Sequence, residues 1–434
     1  MSRSKDDRRI LPAGGLHLSR RGVLKGALAA AGAAAGTRLA GFGRGFEGEA
    51  HAATEPSHFV HIFMNGGLNA LFAGCANQFV TNGTFGVTSS NIKNVGGGVY
   101  TDLSTFGTFS PFALSHWGAI GIRHLNALHT TPQNLNSGGE HAILKDGSNC
   151  YLNELAHAMG GDSAFKAVYF GDRPPAYQDQ PTYPGVPLQR VSDLGDAIKA
   201  LGAGAADPTA PDRTLAANAI AAAQTASQRQ IVQNPGQLSP LTDAYDTAIA
   251  GLRKPPPKPV TFGDISTAYG LGGKTAVNSY AAMLAGAEVM IRAAGTNVVN
   301  ITDFGLASWD FHQTSGGASL NGTYSREKML GTSGFGANRI APIKTFLDRM
   351  LNLPDRNVVV CISGELVRLP SGDHGDGSLA ALFGKYVKQG ISYGVDSNAH
   401  FNSATPGVKP FWAAVAAALK VPGTPFGANP HQIV

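Results

Sequence analysis

The chain is poor in cysteine and in charge, and it has no long apolar run. Among 434 residues there are three cysteines, Cys75, Cys150 and Cys361, too few for a disulfide scaffold even in an oxidising compartment. Cys361 falls in an apolar run and reads as a small core residue, while Cys75 and Cys150 can pair or stay apart. Charged residues make up 15 % and hydrophobic residues 43 % of the chain, which excludes an intrinsically disordered protein. No stretch supplies the roughly twenty predominantly apolar residues of a membrane span, and there is neither an internal repeat nor a low-complexity tail. What is abundant is glycine, at 56 residues, and proline, at 25, so many loops surround whatever core forms.

The formal net charge of +5 is unevenly placed. Residues 1–52 hold nine of the 34 Lys and Arg and four of the 29 Asp and Glu, leaving 25 of each in the remainder. That remainder is neutral, so bulk charge gives no reason to expect a nucleic-acid partner or an anionic membrane surface. Within the basic segment, Ser19-Arg20-Arg21-Gly22-Val23-Leu24-Lys25 precedes the small-residue run 26–36, and Ala50-His51-Ala52 places small residues just before Ala53. This order reads as a twin-arginine signal centred on Arg20 and Arg21 and cleaved before Ala53. The expectation is a signal peptide over 1–52, read by the twin-arginine translocase and a signal peptidase. A single exported domain over 53–434 follows, periplasmic, extracellular or on the cell surface, with no stable membrane anchor.

Short apolar runs that give way to polar, Gly-rich or Pro-rich loops predict strands at 58–64, 119–122, 167–170, 297–302 and 357–362. Helical spacing predicts a turn from Glu140 and helices over 151–159, 212–233, 275–294, 339–351 and 411–419, with Lys254-Pro255-Pro256-Pro257-Lys258-Pro259 as a stiff spacer. The segment 77–109 has Gly and Asn breakers throughout and predicts an irregular excursion, and Gly96-Gly97-Gly98 has no helix beside it to cradle a phosphate. Alternating strands and helices imply an α/β fold, a mostly parallel sheet with helices on both faces. In such sheets chemistry collects outside the carboxyl ends of the strands, which selects the loops 65–69, 123–141, 303–312 and 363–374.

Those loops contain acid and imidazole pairs. Asp373 and His374 are adjacent in a Gly-rich loop, and Asp310 and His312 have the i, i+2 spacing that puts both on one side of an extended segment. Carboxylate oxygen and imidazole nitrogen are ligands for a divalent metal; the alternatives are a solvated Asx turn for Asp373 and a core cluster for Trp309 and His312. The loop from His124 to Thr131, with Glu140-His141 downstream, places hydroxyls near imidazoles. Thr130 and His129 are the candidates there for a nucleophile and its activating base, and His141 is a further possible ligand; His124 serves the site or lines its loop.

Asn65-Gly66-Gly67-Leu68-Asn69-Ala70-Leu71, Trp309-Asp310-Phe311-His312 and the block from Ser363-Gly364-Glu365-Leu366-Val367-Arg368-Leu369 to Asp373-His374-Gly375 carry a resemblance, with the terminal helix. The chain resembles the domain of unknown function 1501 family, exported proteins related to the alkaline phosphatase and sulfatase superfamily. The resemblance spans nearly all of the mature chain. It implies an alkaline phosphatase/sulfatase-like domain and one or two metals (zinc, calcium or manganese) held by Asp310, His312, Asp373 and His374. Many members carry an acid where Asn69 stands, so that ligand place falls here to a neutral amide. Glu365 and Arg368 match the family block and either orient a substrate anion or pair with each other. The function implied is hydrolysis of a small-molecule phosphate or sulfate ester; the alternative is a non-catalytic envelope protein that keeps the fold.

Overall fold

The computed structural model describes residues 55–130, 138–146, 149–161, 165–172, 188–203, 261–303, 308–311 and 317–434, with isolated positions between them. Residues 55–434 form one unit. The expected signal peptide, the proline spacer and His312 lie outside the described residues, and the expected helix at 212–233 is described at five helical positions only (218, 219, 221, 222 and 225).

Twelve strands are described: β1 (Ser57–Met64), β2 (Ile92–Gly96), β3 (Val99–Asp102), β4 (Trp117–Arg123), β5 (Lys145–Asp146), β6 (Asn149–Cys150), β7 (Ala167–Gly171), β8 (Leu188–Arg190), β9 (Val298–Thr302), β10 (Asn357–Gly364), β11 (Gly377–Phe383) and β12 (Gly390–Ser392). Eight of them form one sheet in the order β12-β4-β11-β10-β1-β9-β7-β8. Every neighbouring pair is parallel except the two that β11 makes with β10 and β4. The expected mostly parallel α/β sheet is therefore present. Its central strands are runs such as Val358-Val359-Val360 and Val298-Val299, buried on both faces, as parallel strands covered by helices must be.

Side chains alternate between two cores. Along β1, Val60, Ile62 and Met64 join the core that holds the helix Tyr280–Val289 and the helix Ile340–Met350, whereas Phe59 joins the one built from the helices Tyr151–Met159 and Val408–Ala418. Cys75 lies in the first core and Cys150 in the second, and neither forms a disulfide. The possible pairing of the two is thus corrected by their burial in separate cores.

The helix expected over 275–294 begins later, because Ser279 caps it by accepting from Ala282 N at 3.3 Å. Ahead of it, Thr275 donates to Asp193 Oδ2 at 2.6 Å and Val277 N donates to Ser192 O, which holds 275–277 extended. Its last turn widens to a π-turn over Met290–Ala294, ended by Gly295 at φ 66°. The excursion at 77–109 contains short 3-10 turns and the β2–β3 hairpin, with Gly96-Gly97-Gly98 at its turn, where all three φ values are positive. β8, β11, β12 and the helices Leu194–Ala203, Phe262–Ala268 and Gly317–Leu330 were not expected from the pattern. Among the described residues, no helix is long and apolar enough to cross a membrane.

Two histidines on β1 make the fold acid-sensitive. His58 Nδ1 donates to Thr296 O at 2.7 Å while its Nε2 is buried without a partner, and His61 bridges Asn300 Oδ1 (3.1 Å) and Ser363 Oγ (2.8 Å). Burial pushes each pKa down to about 4 from 6.5. Both rings are neutral in the fold and protonate more readily in the unfolded chain, so their contribution is complete above pH 6.5 and is lost as pH falls toward 4. The expected loss is up to about 3 kcal/mol per histidine. Urea titrations between pH 7.5 and 4 should show this decline, and His58→Gln should flatten it; an unchanged slope in that variant would remove His58 from the account.

Candidate metal centre

β1, β9, β10 and β4 point the same way, so the loops that follow them meet at one edge of the sheet. β11 runs back from that edge and so places the residues just before it, 373–376, there as well. Close backbone approach lets the first two loops touch: a Cβ on Gly364, the last residue of β10, would lie 2.3 Å from Leu68 N. Gly67, at φ 124°, turns the chain back so that its N–H donates to Met64 O at 3.0 Å.

The loop after β9 is fixed through Trp309. Its backbone N–H donates to Asn65 O at 2.8 Å, and its indole N–H to Asp303 Oδ2 at 3.1 Å, an oxygen that also accepts from Arg339 Nε at 2.8 Å. Two cations stand over the ring, Lys328 Nζ at 4.5 Å and the Arg339 guanidinium at 5.5 Å from its centroid. Lys328 in turn donates to Ser308 O. Asp310, the next residue, is delivered to the centre by this cage.

The loop after β4 is held by His124, whose Nε2 donates to Glu365 O at 2.8 Å, and by Leu125 N, which donates to Asp376 O at 2.7 Å. The loop after β10 folds into a narrow antiparallel turn: Val367 N donates to Gly377 O, Gly375 N to Val367 O and Leu369 N to Asp373 O. Arg368 therefore faces His374 across a bridge, and both reach the centre.

There, His129 lies between two carboxylates. Its Nδ1 is 2.7 Å from Glu365 Oε2 and its Nε2 is 3.1 Å from Asp310 Oδ2. The His374 ring stands edge-on to it, with centroids 4.1 Å apart, and His374 Nδ1 donates to Ala127 O at 2.7 Å. One ligand atom from each of His129, Asp310 and His374 lies within 4.8 Å of the others, so the three can hold a metal ion. Both imidazoles commit Nδ1 to an acceptor, which directs Nε2 to the centre. A carboxylate or carbonyl behind the far ring nitrogen is the usual support of a metal-binding histidine.

Arg368 completes the charge. Its Nη2 donates to Asp310 Oδ1 at 2.8 Å and to Gly66 O, and lies 3.3 Å from His129 Nε2. Its Nε and Nη1 are buried without partners. Burial pulls the His129 pKa down, but hydrogen bonds and charge from Asp310 and Glu365 outweigh that pull and leave it raised. Burial pushes the Glu365 carboxyl up, against His129 and Arg368, and pulls the Arg368 guanidinium down. The directions for His129 and Glu365 compete for one proton across the 2.7 Å contact. It belongs on the imidazole, which has two carboxylates to stabilise its charge. Without metal, the cluster of His129, Arg368, Asp310 and Glu365 is then neutral.

Of the residues expected at the site, His129, Asp310, His374, Glu365 and Arg368 come together. Asp373 is exposed, and its Oδ1 accepts from His374 N at 2.7 Å. Asn69 is buried and donates to Asn321 Oδ1 at 2.9 Å, while its own oxygen accepts from Leu71 N. Thr130 is fully buried and its Oγ1 accepts from Glu140 N at the start of the helix Gly139–Leu144. His141 lies buried on that helix. The suggested pairing of Glu365 with Arg368 is corrected: Glu365 pairs with His129 and Arg368 with Asp310. The supporting roles of Asp303, Arg339 and Lys328 were not read from the sequence, since they depend on a tryptophan cage assembled from distant segments.

No family model and no curated protein matches the chain. A solved structure, "Crystal structure of Ps i-CgsB in complex with k-i-k-neocarrahexaose", aligns over 84% of this chain and 72% of that chain, with 8% identity and a TM-score of 0.32, a likeness too distant to bear on fold or activity.

Proposed function

We propose that the protein is an exported, metal-dependent hydrolase of phosphate or sulfate esters, with an alkaline phosphatase/sulfatase-like domain over 53–434. The observation that carries this reading is the convergence of His129, Asp310 and His374, each imidazole oriented through Nδ1. Two nitrogens and one carboxylate oxygen suit zinc or manganese better than calcium, which prefers an all-oxygen shell. A bound divalent ion would polarise the ester oxygen and lower the pKa of the attacking group. Glu365 holds the His129 ring in place, and Arg368 fixes the Asp310 carboxylate. The resemblance to the domain of unknown function 1501 family supports the substrate class, a small-molecule ester.

The Arg20-Arg21 signal supports export through the twin-arginine translocase and cleavage by signal peptidase, to the periplasm or cell surface without a stable anchor. Glu55, just after the expected cleavage point, is clasped by Lys385 Nζ and by Tyr386 OH at 3.0 Å. The neutral remainder of the chain supports the absence of a nucleic-acid partner. One observation favours a second reading, a non-catalytic envelope protein: the Thr130 hydroxyl is fully buried and spent on Glu140 N at a helix start.

Elemental analysis of the purified chain, with aryl phosphate and aryl sulfate assays in the presence of added zinc or manganese, separates the readings. The expected result is about one ion per chain and ester turnover that a chelator abolishes. Metal uptake without turnover would favour the envelope protein, and no uptake would end the metal-dependent hydrolase and leave the envelope protein.

A further inference from the structure

The loop after β4 carries more than His129. Five large hydrophobic side chains are exposed among the described residues: Leu103, Leu125, Leu128, Tyr386 and Tyr393. Tyr386 is accounted for by Glu55 and by the Lys385 and Lys420 ammonium groups over its ring, and Tyr393 by the His431 ring. Leu103 stands alone in a turn. Leu125 and Leu128 are the most exposed of the five, at 70% and 51%, and they sit three residues apart in one loop.

That loop is firmly held. His124 is tied to Glu365 O, Leu125 N to Asp376 O, Asn126 N to His124 Nδ1, Leu128 N to Asn126 Oδ1, and Leu128 O to Gly139 N. Leu125 is kept at φ 61°, a left-handed conformation that costs a residue with a Cβ about 1 kcal/mol or more. The two leucines are thus presented outward by a backbone whose next acceptor, Ala127 O, orients His374 and whose next side chain is His129. An apolar surface and one imidazole of the candidate metal centre come from one six-residue segment.

We infer that Leu125 and Leu128 form an apolar lip of the metal centre, and that the substrate is an amphiphile, an anionic ester carrying an alkyl or aryl group that lies on this lip. The inference rests on the metal-dependent reading of the same centre. Charge complementarity and continuity decide the occupant: a bound divalent ion would call for an anion, and the loop that carries His129 presents hydrocarbon beside it. A highly hydroxylated sugar would leave both leucines in water.

The test is calorimetric binding to the full chain loaded with zinc, using methyl phosphate and octyl phosphate, the latter below its micellar concentration. Octyl phosphate should bind at least tenfold more tightly. The double variant Leu125→Asn with Leu128→Ser, which keeps a residue tolerant of positive φ at 125, should lose that difference while zinc affinity and methyl phosphate binding stay unchanged. Equal binding of the two phosphates to the zinc-loaded chain would overturn the lip and leave the metal centre standing. A chain that takes up no zinc would sink both, and the separate zinc titration shows which has failed. A dimer, or binding to neutral phosphatidylcholine vesicles, that disappears in the double variant without a change in octyl phosphate affinity would also overturn the inference, in favour of a second copy or a bilayer.

Discussion

Asp310→Asn should weaken binding of zinc or manganese at least about 100-fold, whereas Asp373→Asn should weaken it less than about tenfold. Removing a group that only supports a metal ligand costs roughly 10–100-fold, and loss of one of three protein ligands should meet or exceed that range. Asp310 offers Oδ2 toward His129 Nε2 and is braced at Oδ1 by Arg368, and the substitution preserves its shape, so Asn can still accept from the guanidinium. What it removes is the anionic oxygen. Asp373 is exposed and uses its Oδ1 on the backbone of His374, so its loss should loosen the turn without taking a ligand away. Competition titrations against a chromophoric chelator read both constants directly, and thermal melts without metal confirm that each variant folds. Equal losses would mean that Asp373 joins the centre, and no loss at Asp310 would mean that the three side chains do not share an ion.

That pair of variants also marks where sequence reasoning ended. The runs at 297–302 and 357–362 are rich in β-branched residues and 58–64 is largely apolar before Asn65-Gly66-Gly67, so the central strands were legible, and with them the edge at which the loops meet. β11 was not, because Gly377-Ser378-Leu379-Ala380-Ala381-Leu382-Phe383 opens on a glycine loop and has little β-branched character. Its antiparallel return is nevertheless what closes the turn and sets Arg368 opposite His374. Acid and imidazole pairs stand out in these loops of the sequence, but nothing in their spacing chooses among them. Adjacent residues of an extended segment point to opposite faces, so Asp373 and His374 do not both turn inward. Likewise, the partners of His129 are 236 residues away at Glu365 and across a third loop at Asp310, a proximity that only the folded sheet creates.

Arg368→Met should destabilise the metal-free chain by about 3–5 kcal/mol, and a divalent ion should restore most of that loss. Removing one partner of a buried ion pair leaves the other charge uncompensated, which is where a cost of this size arises. Here Asp310 Oδ1 and Gly66 O both lose their donor, and the cluster of Asp310, Glu365 and protonated His129 is left with a net negative charge. Methionine fills much of the same volume, so the effect reports charge and hydrogen bonding more than a cavity. A metal ion held by His129, Asp310 and His374 would take the place of the His129 proton and supply the missing positive charge. Since a ligand stabilises the folded state by about 4 kcal/mol at a thousand times its dissociation constant, saturation can offset the loss. The ion should also bind more tightly to the variant, about tenfold or more, because a neighbouring like charge has gone. Urea midpoints with chelator and with saturating zinc, for the wild-type chain and the variant, give the four values required. A chelator-treated variant as stable as the wild type would show that the guanidinium does not hold these loops together, and an equal increment from zinc in both proteins would show that Arg368 and the metal do not share one electrostatic site.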